Sequence, residues 1–151
     1  MFLTTRGRYA VMAMLDMYSS YSESKIVSIK SMAARQSLSV YYLEQLFCLL
    51  KKEGIVKSIK GPGGGYIFER EPEKIFLSQI LKAVGENIKI TKCGTEDLNS
   101  CNNGENMKCN THLLWVDLGE HINQYFTNTS LADISNKNFF FQRSLKENKT
   151  L

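Results

Sequence analysis

Three cysteines and one histidine lie close together in the second half of this chain, at Cys93, Cys101, Cys109 and His112. Seven residues separate each of these cysteines from the next, and two residues separate the last cysteine from the histidine. Thiolates and imidazoles are ligands of both zinc and iron–sulfur clusters. The paired CxxC motifs that are typical of structural zinc are absent. The spacing therefore leaves both kinds of metal site open, beside the simpler interpretation of three surface thiols.

The remaining cysteine and histidine are not expected to be ligands. Cys48 stands between Phe47 and Leu49 in an apolar stretch, so we expect it to be buried as a small apolar side chain. His121 follows Glu120 in an amphipathic segment, so we expect it at the surface.

The charge of the chain is unevenly distributed. Of its 151 residues, positions 1–70 hold ten lysines and arginines against five acidic residues, and positions 71–151 hold nine against ten. The basic half is the candidate for binding a polyanion. No apolar run approaches the roughly 20 residues that span a bilayer, and no secretion signal is recognisable. We therefore expect a cytoplasmic protein with no membrane partner, in a compartment where clustered cysteines stay reduced.

Apolar periodicity predicts a mainly α-helical chain with one β-hairpin. Helices are expected over about 5–21, 29–36, 40–53, 77–84 and 111–128. Ile26 and Val27 form a short extended piece between the first two helices. Residues 55–59 and 66–68 alternate as strands around Gly61-Pro62-Gly63-Gly64-Gly65. Two helices joined by a tight turn and followed by a hairpin indicate a winged helix-turn-helix fold with a β-hairpin wing and a long C-terminal dimerisation helix.

These elements divide the chain into four regions. We expect a DNA-binding domain over 1–85, a cluster-binding loop over 86–112, a dimerisation helix over 111–134 and a tail over 135–151. The seam on the long helix, at Trp115, Leu118, Ile122 and Tyr125, favours a homodimer contact over packing on its own domain. Disorder of the tail and docking of its three phenylalanines on the body both stay open.

The third helix is the candidate recognition helix. Its N-terminal residues would meet base edges in the major groove of double-stranded promoter DNA, where glutamine pairs with adenine and glutamate accepts from cytosine. Basic residues and glycines around it suit phosphate contacts. The candidate DNA-binding residues are Arg6, Ser39, Tyr41, Tyr42, Glu44, Gln45, Lys60, Gly63 and Gly64. Further candidates for contacts with the phosphate backbone of the DNA are Arg8, Lys51, Lys52 and Lys57.

Three segments resemble a known family: LTTRGRYAVMAMLD, SVYYLEQLFCLLKKEGIVKSIKGPGGGY and CNTHLLWVDL. They are similar to the Rrf-type winged-helix transcription factors over roughly residues 1–134, and the C-x-x-H motif resembles the branch that regulates iron–sulfur cluster assembly. The resemblance implies a homodimer joined by the long helix and a 2Fe-2S cluster held by Cys93, Cys101, Cys109 and His112. It also implies repression of cluster-assembly genes when the cluster is present, and binding to a second class of site without it.

The same resemblance assigns roles on the DNA side. Glu44 would discriminate between the site classes, with Ser39, Tyr41, Tyr42 and Gln45 as its neighbouring contacts and Lys60 as the wing contact.

The chain departs from the family in three features. Its cysteine spacings are longer than usual, although a longer loop adds closure entropy only logarithmically. Lys60 stands where arginine is usual. Lysine cannot form the bidentate hydrogen bonds or the stacking contacts that the planar guanidinium of arginine forms. Tyr41 replaces a small residue.

Three other classes of function compete with this interpretation. Related cluster-based sensors of nitric oxide or redox state also use three cysteines. A zinc protein whose winged helix serves only protein interaction is a further alternative, and the basic wing argues against it. The sequence has no nucleotide-binding fingerprint, no Ser/His/Asp set and no second cluster motif, so an enzyme is not expected.

Overall fold

The structure is a computed structural model that describes residues 3–21, 23–87 and 111–136. A helical body carries one β-hairpin. Its elements are α1 (Thr5–Ser20), α2 (Ile29–Gln36), α3 (Val40–Lys52), β1 (Val56–Ile59), β2 (Gly65–Phe68), a 3₁₀ turn (Pro72–Lys74), α4 (Leu77–Ala83), α5 (His112–Thr127) and α6 (Leu131–Ser135). The predicted winged helix-turn-helix is confirmed. The four-region division stays a prediction, and the cysteines at 93, 101 and 109 and the tail from 137 onward lie outside the described residues.

Hydroxyl side chains fix where the first three helices begin. Thr4, Ser28 and Ser39 are their N-caps, and each hydroxyl accepts a hydrogen bond from the backbone amide three residues later. Such caps satisfy amides that have no partner within the helix. Between α2 and α3, Ser37 adopts the left-handed conformation with φ of 53°, which ends α2 and lets the chain turn directly into α3. The recognition helix is thus placed by its own local sequence.

The core lies where α1, α2, α3 and α4 meet the base of the hairpin. Met14, Met17, Leu43, Phe47 and Ile80 are fully buried in it. On α3 the buried residues recur at three- and four-residue intervals, so one face of the helix is committed to the core and the opposite face is left for solvent or a ligand.

A buried carboxylate ties α1 to α2. Asp16, whose side chain is 8% exposed, accepts three hydrogen bonds from Arg35, two from Nε and one from Nη2, and one of 2.8 Å from the side-chain amide of Gln36. Burial by itself raises the pKa of Asp16, but the hydrogen bonds and the charge of Arg35 outweigh it and hold the pKa below its usual 3.8. The contact fixes α2 at its C-terminal end, next to the turn that leads into α3.

The hairpin pairs antiparallel, with Val56 opposite Phe68 and Ile59 opposite Gly65. Val27 adds an isolated bridge to Tyr66, through two backbone hydrogen bonds of 2.9 Å. The expected extended piece before α2 therefore pairs with β2 at the single residue Val27, beside a sheet of two strands.

The segment after α5 returns to the body in a way that the sequence analysis did not anticipate. The amide of Leu77 donates to the carbonyl of Thr129, and the amide of Leu131 donates to the carbonyl of Ile75, both at 2.9 Å. Ser130 and Asp133 form a capping box that begins α6, and Leu131 is fully buried. The C-terminal end of α5 is thereby anchored. Within the described ranges, no helix is long and apolar enough to cross a membrane.

Replacing Asp16 with asparagine tests the tie between α1 and α2. Asp16→Asn should lower the free energy of unfolding by about 1 kcal/mol at neutral pH, since charge-assisted hydrogen bonds are lost but Arg35 is partly exposed. The folded-state pKa is depressed, so this stability is present above the unfolded pKa and disappears as pH falls through the folded one. Urea unfolding should show a constant difference above pH 3.8 that shrinks below it.

The matched control is Glu71→Gln, which removes an exposed pair with Lys74. It should leave the unfolding midpoint unchanged. An equal loss in both variants would contradict the assignment.

Candidate nucleic-acid interface and metal-ligand segment

The face of α3 that points away from the core carries the predicted base-reading side chains. Tyr41 is 70% exposed, and Glu44 and Gln45 are also exposed. Ser39 is exposed at the cap position, where its hydroxyl accepts from the Tyr42 amide at 3.4 Å. The structure thus brings these residues together at the N-terminal end of one helix, as a major-groove reader requires.

Tyr42 differs from its neighbours because it is half-buried. Its ring packs edge-to-face on Tyr9 of α1, with the ring centroids 6.0 Å apart. This contact holds α3 against α1, so Tyr42 supports the recognition helix as well as standing beside its exposed face.

Cys48 is exposed, and the expectation that it is buried was wrong. The core-facing residues of α3 are Leu43, Leu46, Phe47 and Leu50. Cys48 lies on the other side of the helix, one turn after Glu44 and in line with Tyr41. The apolar neighbours in sequence were misleading, whereas the helical spacing places this thiol on the same exposed face as Tyr41 and Glu44.

The wing stands beside α3 with its basic tip in solvent. Lys57 and Lys60 are exposed. Gly61 and Gly63 have φ of +100° and +74°, and no atom lies near a side chain built on either. At Gly64 a methyl group would overlap the carbonyl oxygen of Ile59. The first two glycines therefore serve the left-handed turn, and Gly64 serves the close approach of two backbone segments.

Two polar contacts fix the wing to α3. The ammonium group of Lys51 donates to the hydroxyl of Ser58 at 2.8 Å, and Arg70 donates to the carbonyl oxygen of Glu53 at 2.7 Å. Lys51, predicted as a backbone contact, is thus engaged within the protein. Together the contacts set the angle between the wing and the recognition helix.

Tyr66 joins the same arrangement from β2. Its ring lies 4.8 Å from that of Phe47, centroid to centroid. Burial raises the pKa of the Tyr66 hydroxyl, and the negative charge that Cys48 and Glu44 can carry raises it further. The phenol therefore stays protonated at neutral pH and remains a hydrogen-bond donor.

A cleft of about 850 Å³ opens beside α3. It is lined by the beginning of α1, by one side of α3 and by the residues that follow α4. The lining includes Thr4, Arg6, Gln45, Cys48, Glu86 and Asn87. Arg6, a predicted DNA contact, donates to the carbonyl oxygen of Val84 at 3.3 Å, and Arg8 is exposed.

Of the four predicted metal ligands, the structure describes His112. It is the first residue of α5 and is 6% exposed. Trp115 donates to the hydroxyl of Thr111 at 3.2 Å across this first turn. Among the described residues, no group of three or more histidine, cysteine or acidic side chains could hold a metal ion. His121 lies at the surface near Asp117, as expected.

The donor set fits a soft metal or an iron–sulfur cluster. Three thiols and one imidazole supply the ligands such groups prefer. His112 begins a regular helix, so its backbone is held in place, and its burial restricts water at the ring. These are properties expected of a ligand on a rigid element.

Comparison with known proteins gives concordant matches. Residues 3–137 match the Rrf2 family, described as an iron-dependent transcriptional regulator. The HTH-type transcriptional regulator IscR of Xenorhabdus nematophila is 41% identical over 132 residues, which cover 87% of this chain and 77% of that protein.

Solved structures agree with the sequence match. CymR, the global cysteine regulator of B. subtilis, has a TM-score of 0.75 at 28% identity, covering 89% of this chain and 96% of that one. IscR of T. potens has a TM-score of 0.67 at 34% identity, covering 89% and 85% respectively.

Proposed function

The chain belongs to the Rrf2 family of transcriptional regulators, and from this premise we propose that it is a homodimeric repressor of iron–sulfur cluster assembly genes that responds to its own cluster. The observation that carries the proposal is the exposed face of α3, where Tyr41, Glu44 and Gln45 stand beside a basic, glycine-rich wing. The side chains of Tyr41, Glu44 and Gln45 can form hydrogen bonds with base edges, and the basic wing can contact the phosphates of the DNA backbone.

On the DNA side, specificity and affinity fall to different residues. Gln45 can pair with adenine, and Glu44 can accept from cytosine while repelling phosphates wherever that donor is missing. Glu44 therefore favours discrimination rather than strength. Lys60, at the foot of the wing turn, contributes charge without reading sequence.

On the sensing side, Cys93, Cys101, Cys109 and His112 would hold a 2Fe-2S cluster. When bound, the cluster would make the protein responsive to iron, sulfur or redox supply. His112 would bring the ligand set to the first turn of α5, and Asn87 lies at the edge of the cleft beside α3. Ligation would then have to favour one DNA-binding geometry over another, because only a difference between the two states shifts an equilibrium.

The proposed dimer rests on the exposed first half of α5. Tyr125 and Phe126, near its end, pack against the core, whereas Leu114 is 57% exposed and Leu118 is 41% exposed. An apolar stripe on one side of a helix is stabilised by burial against a partner. A second copy of the same helix offers a complementary stripe and places two recognition helices on successive half-sites.

Substitutions on the recognition helix and the wing should separate charge from specificity. Lys60→Ala should weaken binding to every duplex about equally and reduce the salt slope by about one. Glu44→Ala should strengthen binding to unselected duplexes and reduce the preference for a selected one. Fluorescence anisotropy over a salt series, with a duplex selected from a random pool, measures both effects.

Lys74→Ala is the control, because Lys74 is exposed and paired with Glu71 away from the wing. Unchanged discrimination in Glu44→Ala would refute the assigned role of Glu44.

Visible absorption of protein purified without oxygen tests the cluster. Charge-transfer bands are expected in the wild type and should be strongly reduced in Cys101→Ala, because one of four ligands is lost. Cys48→Ala is the matched control and should keep the spectrum. A wild type that stays colourless after reconstitution with iron and sulfide, and that carries zinc instead, would overturn cluster sensing and leave the DNA-binding regulator intact.

Sedimentation of the metal-free protein tests the dimer. Leu118→Glu should raise the dimer dissociation constant at least about tenfold, since a charge would enter an apolar contact. Leu113→Glu places the same change on a leucine that is 71% exposed, on the opposite side of α5. That control should stay dimeric. Equal weakening by both substitutions, or by neither, would argue against the proposed seam.

A further inference from the structure

The beginning of α1 is capped by a side chain from a distant part of the chain. One carboxylate oxygen of Glu86 accepts from the Thr4 amide at 3.0 Å, and the other accepts from the Thr4 hydroxyl at 2.5 Å. The two residues are 82 positions apart. We call this contact, with Thr4 and Gly7 on one side and Glu86 on the other, the Glu86 cap.

Gly7 makes the Glu86 cap sterically possible. A methyl group at this position would lie 2.7 Å from a carboxylate oxygen of Glu86 and 2.9 Å from a side-chain carbon of Leu3. Gly7 stands within a regular helix, where alanine is ordinarily preferred by about 1 kcal/mol. Its presence is therefore explained by the approach of the carboxylate rather than by a special backbone conformation.

The electrostatics of the Glu86 cap favour the ionised carboxylate. α1 has no acidic residue in its own first turn, so Glu86 supplies the negative charge that the positive end of a helix attracts. Burial alone raises the pKa of Glu86, but hydrogen bonds from Thr4 and Gly7 and the charge of Arg6 outweigh it and lower the pKa below its usual 4.5. The group is charged at neutral pH.

A second contact runs parallel to the first. Arg6 donates to the carbonyl oxygen of Val84 at 3.3 Å, and Val84 is the C-cap of α4. Residues 84–86 are thus held to the first turn of α1 at two places. Cys93 follows Glu86 by seven positions in the sequence, so the Glu86 cap lies close in the chain to the first of the predicted ligands.

The same first turn borders the recognition helix. Thr4 and Arg6 share the 850 Å³ cleft with Gln45 and Cys48 of α3, and Tyr9 of α1 packs on Tyr42. The Tyr9–Tyr42 contact connects α1 directly to α3, and Arg6 and Arg8 lie on the first turn of α1 itself.

We propose that Glu86, Thr4 and Gly7 are positioning residues that couple the occupancy of the ligand segment to the placement of α1 and α3, and hence to DNA affinity. This inference rests on the proposed function. None of the three residues needs to touch DNA or metal, so breaking the Glu86 cap should leave each binding event in place and remove the dependence of one on the other.

Two substitutions break the Glu86 cap in different ways. Glu86→Ala removes the carboxylate, whereas Gly7→Ala keeps its charge and displaces it. Glu23→Ala, at an exposed glutamate beyond the far end of α1, is the control. For each protein, DNA dissociation constants are measured with and without reconstituted iron and sulfide, beside the visible spectrum.

The wild type and Glu23→Ala should show a ratio between the two dissociation constants in the range of ~5- to ~150-fold that coupled sites typically give. In Glu86→Ala and Gly7→Ala the ratio should fall to about one, with the visible spectrum unchanged. Amide hydrogen exchange supplies a readout that does not depend on DNA. The Gly7 amide should exchange differently in the loaded and metal-free wild type, and identically in the two states of Glu86→Ala.

The outcomes distinguish this inference from the proposed function. If the wild type responds to reconstitution and both cap variants keep the full ratio, the inference is overturned and cluster sensing stands. If the wild type binds duplexes selected with cluster and duplexes selected without it equally in both states, cluster sensing fails and the coupling falls with it. A third outcome is that the two DNA dissociation constants become equal in Glu86→Ala but stay different in Gly7→Ala. This result would mean that the charge of Glu86 matters and its position against α1 does not, and it would also overturn the inference.

Discussion

The division of α3 into a buried face and an exposed face is the constraint on which the other features depend. Leu43, Leu46, Phe47 and Leu50 are committed to the core, and burial of such side chains contributes on the order of 1.5–3 kcal/mol each. Rotation of the helix about its axis would expose them, so the orientation of Glu44 and Gln45 is fixed by residues that never meet DNA. The wing inherits this orientation, because Tyr66 packs on Phe47 and Lys51 and Arg70 connect the hairpin to α3.

Local sequence was sufficient to predict most helices and the hairpin. The caps at Thr4, Ser28 and Ser39 bond an amide only three residues away. Gly61 and Gly63 supply the positive φ of the turn through their own backbone. Both signals can therefore be recognised in the sequence without the fold. The error at Cys48 has a different origin. Its apolar neighbours Phe47 and Leu49 suggested burial, whereas its position on α3 lies outside the buried face of Leu43, Leu46, Phe47 and Leu50. The separate helix α6 was also missed. Its Ser130 and Asp133 capping box is visible in the sequence, but residues up to 134 were assigned to the dimerisation region without a second helix.

Contacts between distant segments could not be predicted from the sequence. The salt bridge between Asp16 and Arg35 joins two helices whose relative angle depends on packing. The hydrogen bond between Glu86 and Thr4 joins residues that are 82 positions apart in the sequence. Likewise, the apolar seam of α5 predicted burial and favoured a homodimer contact, but the pattern alone does not show which part of the seam packs on its own domain. In the structure Tyr125 and Phe126 pack on their own body, while Leu114 and Leu118 are left exposed. The second half of the seam thus packs on its own domain, and the homodimer contact of the proposed function concerns the exposed first half alone.

The strength of the Glu86 cap is consistent with a coupling role rather than a structural one. Exposed charged contacts contribute up to about 1 kcal/mol each, which is small beside the burial of the core, so the fold does not depend on this contact. A contact far stronger than the differential affinity of a ligand would stay closed in both states and transmit nothing. Gly7 leaves room for the carboxylate against the first turn of α1, where a methyl group would displace it. In the proposed coupling, ligation nearby in the chain opens or closes this weak contact, and α1 carries the difference to the recognition helix.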